Sequence, residues 1–263
     1  MKLMRRVIGR LFLVLTLALL AMGSGCTTVH PAGGGGTGAT VLERPIVVIG
    51  GWADPGFAAT RVARDIRRAT GDDRVIAVHP GWSLSFDQAR RSVTRAIDKH
   101  FPSDDPDHTV EVDVIGISMG GLIARHAIAP GRDELGPELR APHLFTISAP
   151  HTGARLANTF RYVGGTGSAM AKGSRFRRDL AYREQIVAQP YELIAYGRER
   201  DGTVGMAGMR LPDHLAGTTI WLDTPWYSAG HGDANRDRRI VEDILRRLGH
   251  ELDEDGKVIV DDE

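Results

Sequence analysis

Short apolar runs alternate with longer amphipathic stretches from residue 45 to residue 248. Pro45-Ile-Val-Val-Ile-Gly50 is apolar and closed by glycine, the pattern of a strand buried on both faces. Phe57 to Thr70 carries Ala58, Val62 and Ile66 at i+4 spacing with Arg61, Arg64, Asp65 and Arg68 between them, which predicts a helix with one apolar face. A strand is expected around Arg74 to Val78, then a helix over Ser85 to His100 with Ala89, Val93 and Ile97 on one face. Strands follow at Val110 to Ile115, His143 to Ser148, Tyr191 to Tyr196 and Thr218 to Leu222. Helices are expected from Met119 to Ile128 and from Arg236 to Leu248. Alternation of this kind predicts an α/β fold of about six mostly parallel strands, with helices on both faces and right-handed crossovers. Thr152 to Pro190 breaks the rhythm. Its length and its basic residues (Arg155, Arg161, Lys172, Arg175, Arg177, Arg178) fit either an ordinary helix and loop or a small cap over a site, and long insertions in such folds favour the cap.

The amino terminus follows a different pattern. Met1 to Arg6 is basic and Leu11 to Met22 is almost wholly apolar. That run spans about 18 Å as a helix, short of the roughly 30 Å hydrocarbon core, so a signal peptide over 1–25 is expected rather than a membrane span. Cys26 is the only cysteine and follows Gly23-Ser24-Gly25. Small residues before a cysteine resemble a bacterial lipobox, whose cysteine is acylated after cleavage. Gly23 stands where leucine is preferred, and an ordinary secretory signal is the alternative. A lone cysteine in an exported protein favours acylation. The expected location is then the cell envelope, at the outer membrane facing the periplasm, through an N-terminal lipid anchor. Residues 26–40, with Gly33 to Gly36, read as a flexible tether, and the domain as 41–250. An acidic tail follows over 251–263. Net charge is zero for the whole chain, and without residues 1–25, which hold four bases and no acid, it is −4. No basic surplus points to nucleic acid.

Gly116-Ile-Ser-Met-Gly120 is the candidate chemistry. A bare Gly-x-Ser-x-Gly is weak evidence, and a surface turn would produce it too. Its setting is specific, since Val110 to Ile115 precedes it as a strand and Leu122 to Ile128 follows as a helix. A sharp strand-turn-helix lifts Ser118 above the carboxyl edge of the sheet, and Gly116 and Gly120 leave room for the turn. The helix N-terminus there favours developing negative charge.

The segment Gly116-Ile-Ser-Met-Gly-Gly-Leu-Ile-Ala-Arg125 resembles the nucleophile elbow of bacterial lipases and esterases of the α/β-hydrolase fold, nearest the lipase class 2 and GPI inositol-deacylase-like branches. Ile46-Val-Val-Ile-Gly-Gly-Trp52, Thr146-Ile-Ser-Ala-Pro-His-Thr-Gly153, Asp201-Gly-Thr-Val204 and Gly230-His231 are further landmarks. Many relatives carry His-Gly where this chain has Gly50-Gly51. The resemblance implies a triad in the order Ser, acid, His. His231, before the last helix, is the expected base, ahead of His214; His126, His151 and His250 are read as structural or peripheral. Asp201, after the penultimate strand, is the expected acid, ahead of Glu199 and Asp223, with a plain turn as the bland account. The Met119 and Trp52 amides are the expected oxyanion donors. The implied reaction is hydrolysis of carboxylic esters, tilted by the resemblance to lipid or fatty-acyl esters, through an acyl-enzyme. Acyl transfer, thioester cleavage, or a non-catalytic envelope lipoprotein keeping the fold are the alternatives. No metal or cofactor is implied.

Overall fold

A computed structural model describes residues 41–131, 133–158, 165–226, 228 and 230–259. Cys26 and the segments expected to be a signal peptide and a tether lie outside the described residues.

Six strands form one parallel sheet in the order β2-β1-β3-β4-β5-β6. They are β1 (Ile46–Ile49), β2 (Val75–Val78), β3 (Asp113–Ile117), β4 (His143–Ile147), β5 (Glu192–Arg198) and β6 (Thr218–Leu222). Helix α1 (Phe57–Thr70) joins β1 to β2, α2 (Phe86–His100) joins β2 to β3, and α3 (Met119–Ile128) joins β3 to β4. Because strand residues alternate sides, each interior strand feeds two cores. Ile46, Val48, Ile115, Phe145, Ile147 and Ile194 meet Val62 and Ile66 of α1 and Ile240 and Ile244 of the last helix. On the other face Val47, Ile49, Val114, Leu144 and Leu193 meet Val93 and Ile97 of α2 and Leu122 and Ile123 of α3. Each such side chain contributes roughly 1.5–3 kcal/mol on burial. Order outward from β1 reverses between β2 and β3, the arrangement that opens a crevice at the carboxyl edge.

Among the described residues between β4 and β5 lie a 3-10 turn at Leu156–Asn158 and two short α-helices, α4 (Gly165–Ala169) and α5 (Arg175–Glu184). Helix α6 (Met206–Met209) and the closing α7 (Arg238–Arg247) follow. Helix α5 packs against both α2 and the elbow helix α3, with Phe176 stacked on Phe86 of α2 at 3.8 Å and edge-on to His126 of α3 at 5.3 Å.

The sequence placed β3 at Val110 to Ile115, and it runs two residues further. Thr109 and Val112 N–H groups donate to Glu138 O and Arg140 O, so the segment pairs there first and joins β1 only from Asp113. Glu251 to Ile259 folds back on itself, with Leu252 bridging Val258, and Val258 N–H donates to Ala69 O at the end of α1.

Candidate active site

β3 ends in a turn that explains its sequence. Ser118 sits at φ 53°, ψ −119°, a region costly for any residue but glycine, and one that persists only where the surroundings hold it. Ser118 N–H donates to Ile147 O at 2.8 Å, and Gly121 N–H closes the turn on Ser118 O at 3.1 Å. A Cβ at Gly120 would stand 2.2 Å from Ile49 O, and one at Gly116 would stand 2.5 Å from Gly121. Neither position can carry a side chain. Gly121, which the motif does not mark, is also tight, a Cβ there falling 2.7 Å from Ala149 Cβ.

Two loops from the far side of the sheet reach this serine. After β5, the Asp201 carboxylate accepts N–H groups of Thr203 and Val204 on one oxygen, both at 2.9 Å. His231 Nδ1 donates to its other oxygen at 2.7 Å. Ser118 Oγ in turn donates to His231 Nε2 at 3.0 Å. Burial pushes the Asp201 carboxyl up, but the His231 N–H and the two amides outweigh it and hold it below its ordinary value. The His231 loop is brought in by Gly230, at φ 67°, where a Cβ would lie 2.5 Å from Arg200 O.

The other candidates sort by position. Glu199 is exposed, and Asp223 pairs with Arg239 at 2.8 Å on the surface. His214 donates to Glu184 at 3.0 Å. His126 is buried between Asp87 and Arg183. Trp52 lies on the loop after β1, its side chain half exposed, and Gly51 beside it packs on Ser118, a Cβ there falling 3.1 Å from Ser118 Cβ. Met119 opens α3. Among the described residues neither the Trp52 nor the Met119 N–H donates to a backbone acceptor outside the helices and strands.

Behind the elbow lies a polar cluster that sequence reading missed. Arg125 of α3 makes a two-pronged ion pair with Glu184 of α5, both contacts 2.7 Å and both side chains buried. It also donates to His151 Nδ1 at 3.2 Å, leaving His151 Nε2 to donate to Thr146 Oγ1 at 2.8 Å. Arg177 donates to the Pro150 and His151 carbonyls. Arg125 falls seven residues after Ser118 in the elbow helix, but nothing local marks Glu184 as its partner.

Burial, with Arg125 and Arg177 alongside, holds His151 neutral to well below its ordinary 6.5. Burial likewise lowers His126. In the unfolded chain these imidazoles take up protons near 6.5, so below that pH the unfolded state binds more protons and stability falls. Each contributes a slope of up to about 1.4 kcal/mol per pH unit. The thermal midpoint is therefore expected to drop between pH 7 and 5, before most carboxylates titrate. His151→Asn, which keeps an acceptor for Arg125, should flatten that drop; equal slopes in the two proteins would refute the assignment.

No protein-family model matches the chain, and no curated protein does. Solved structures do. A gene product of Listeria innocua aligns with TM-score 0.54 and 13% identity over 83% of this chain and 98% of its own. A protein described as a cell surface hydrolase, from Lactobacillus plantarum, gives 0.54 and 14% over 83% and 96%. A lipase from Bacillus licheniformis gives 0.51 and 16% over 82% and 96%. Identities this low carry the fold alone. The chain has the α/β-hydrolase fold, its six parallel strands and flanking helices matching theirs.

Proposed function

We propose that the protein is a serine hydrolase that cleaves carboxylic esters, with Ser118 as nucleophile, His231 as base and Asp201 as acid. The observation that carries this reading is the continuous hydrogen-bonded chain from Ser118 Oγ through His231 to Asp201, set at the carboxyl edge of the sheet on a strained turn. His231 takes the Ser118 proton as Oγ attacks the carbonyl carbon, and the Met119 and Trp52 amides hold the resulting oxyanion. The carbon–oxygen bond to the alcohol breaks as His231 returns the proton to that leaving group. Water, deprotonated by His231, then releases the acid and restores Ser118. Asp201 fixes the imidazole tautomer and stabilises its cation.

An apolar substrate part suits the mouth of the site. Trp52, Trp82, Leu84, Leu156 and Trp226 are exposed on the segments that follow the carboxyl ends of strands. They fit an acyl chain or a lipid better than a charged alcohol. The similar folds of a cell surface hydrolase and a lipase support this reading. Acyl transfer to an alcohol or cleavage of a thioester would use the same residues. The reading also includes an envelope protein held by an acylated Cys26, with residues 152–190 as a cap.

A fluorophosphonate probe tests the reading directly, because only an activated serine reacts fast with it. Rapid labelling is expected, mapping to the peptide that holds Ser118, while heat-unfolded protein stays unlabelled. A folded protein that does not label would mean a fold kept for binding alone. In protein from a bacterial host, the mass of the first mature peptide reads the anchor: a diacyl- or triacylglyceryl group on Cys26 is expected, and a free N-terminus elsewhere would reject it.

A further inference from the structure

The loop after β1 folds into a tight turn that its sequence does not favour. Asp54 N–H donates to Gly51 O at 3.4 Å. Ala53, the third residue of that turn, sits at φ 52°, a conformation usually left to glycine or asparagine. A strained alanine persists only when its surroundings hold it there. Two contacts do so. Ala53 N–H donates to Gly81 O at 3.0 Å, which ties the turn to the loop after β2. The Asp54 carboxylate accepts Gly56 N–H at 3.0 Å and Ala58 N–H at 3.4 Å, tying it to the first turn of α1. The second Asp54 oxygen is buried without a hydrogen-bond partner among the described residues. It presses on Gly50, where a Cβ would fall 3.0 Å from it.

Gly81 comes closer still. A Cβ there would lie 2.4 Å from Gly51 O, 3.0 Å from Asp54 N and 3.2 Å from Ala53 N. Gly51 meanwhile packs on Ser118, its Cβ position 3.1 Å from Ser118 Cβ and 3.7 Å from Oγ. The Gly51–Trp52 peptide thus has Gly81 at its carbonyl oxygen and Ser118 near its Cα. No described peptide bond is cis, and in a trans peptide the N–H points opposite to the C=O. A carbonyl turned to Gly81 turns the Trp52 N–H away from Gly81, on a peptide whose Gly51 end packs on Ser118.

We propose that Gly81 and Asp54 are positioning residues that lock the strained 51–54 turn and so aim the Trp52 N–H at the oxyanion. This rests on the esterase reading and adds to it two residues outside the triad and the elbow. A side chain at position 81 must displace Gly51 O, and the donor moves with it. Loss of the Asp54 carboxylate frees the turn from α1. Either change acts after substrate binds, on the charge that develops at the carbonyl oxygen.

The test is steady-state kinetics on p-nitrophenyl butyrate for the parent, Gly81→Ala and Asp54→Ala, each checked for folding by circular dichroism, with Ser118→Ala as the blank. Removing or misplacing one oxyanion donor costs about a hundredfold in turnover. We expect kcat to fall about a hundredfold in Gly81→Ala and about tenfold in Asp54→Ala, with KM within about twofold. The midpoint of the pH profile of kcat/KM should stay put, because His231 and Asp201 are untouched. An alkyl boronic acid, whose adduct on Ser118 carries negative charge, should lose affinity in step with kcat. A folded variant with kcat within about twofold of the parent overturns the proposal, as does a pH midpoint that moves with the loss. If Gly81→Ala does not fold, Asp54→Ala alone decides. A parent with no Ser118-dependent turnover sinks the esterase reading itself, and so is told apart from failure of this inference.

Discussion

Ser118→Ala should lower kcat on p-nitrophenyl esters by about a million-fold. The size of the effect follows from the geometry. His231 Nε2 is 3.0 Å from Ser118 Oγ, and without that oxygen it has no proton to take and no nucleophile to activate. What remains is the pull of two amides on a bound carbonyl, and neither forms a bond. The fold should survive, because Ser118 holds the turn through its backbone, to Ile147 O and from Gly121 N–H, and alanine keeps both contacts. The thermal midpoint is expected within about 2 °C of the parent, a shift of less than roughly 1 kcal/mol for a chain of this size. Fluorophosphonate labelling should vanish in the same variant. Turnover near the parent level, in protein purified free of host esterases, would remove Ser118 from the chemistry.

What the sequence could and could not reveal follows from how far apart the determining residues lie. β1 and β4 are apolar on both faces because helices cover both, and such runs stand out without knowledge of their neighbours. α1 and α2 announce themselves by i+4 spacing. The start of β3 was misplaced because Val110 and Glu111 look like strand, while the pairing of residues 109–112 with 138–140 is decided thirty residues away. The same reason hides the cluster behind the elbow. Arg125, Glu184, His151 and His214 come from four different segments, and no spacing links them. Gly116 and Gly120 are legible as part of a motif. Gly81 and Gly121 are not, because no motif marks them and the groups that forbid a side chain there, Gly51 O for Gly81 and Ala149 for Gly121, lie about thirty residues away. The site is therefore readable where one local turn defines it and opaque where loops meet.

Asp201→Asn is the second large effect, expected at about ten-thousand-fold in kcat with the fold intact. The carboxylate has three partners here, the Thr203 and Val204 amides on one oxygen and His231 Nδ1 on the other. An asparagine can keep its carbonyl on the two amides, because that oxygen only accepts. Its NH2 then faces His231 Nδ1 and can only donate. The imidazole must respond by moving its proton to Nε2, the atom that has to accept from Ser118 Oγ. The base is thus present, in place, and in the wrong tautomer. The cation formed during attack also loses its counter-charge. Asp223→Asn breaks only an exposed pair with Arg239 and Glu199→Gln alters an exposed side chain, so both should stay within about twofold of the parent, since such surface pairs contribute little. All three variants should be compared for turnover and thermal midpoint across pH 6 to 9. If Asp201→Asn keeps most of its activity while Asp223→Asn loses it, the acid has been misassigned. If Asp201→Asn loses activity only together with its fold, the carboxylate serves the loop rather than the reaction. A folded protein that has lost turnover by four orders of magnitude would leave the orientation of His231 as the explanation.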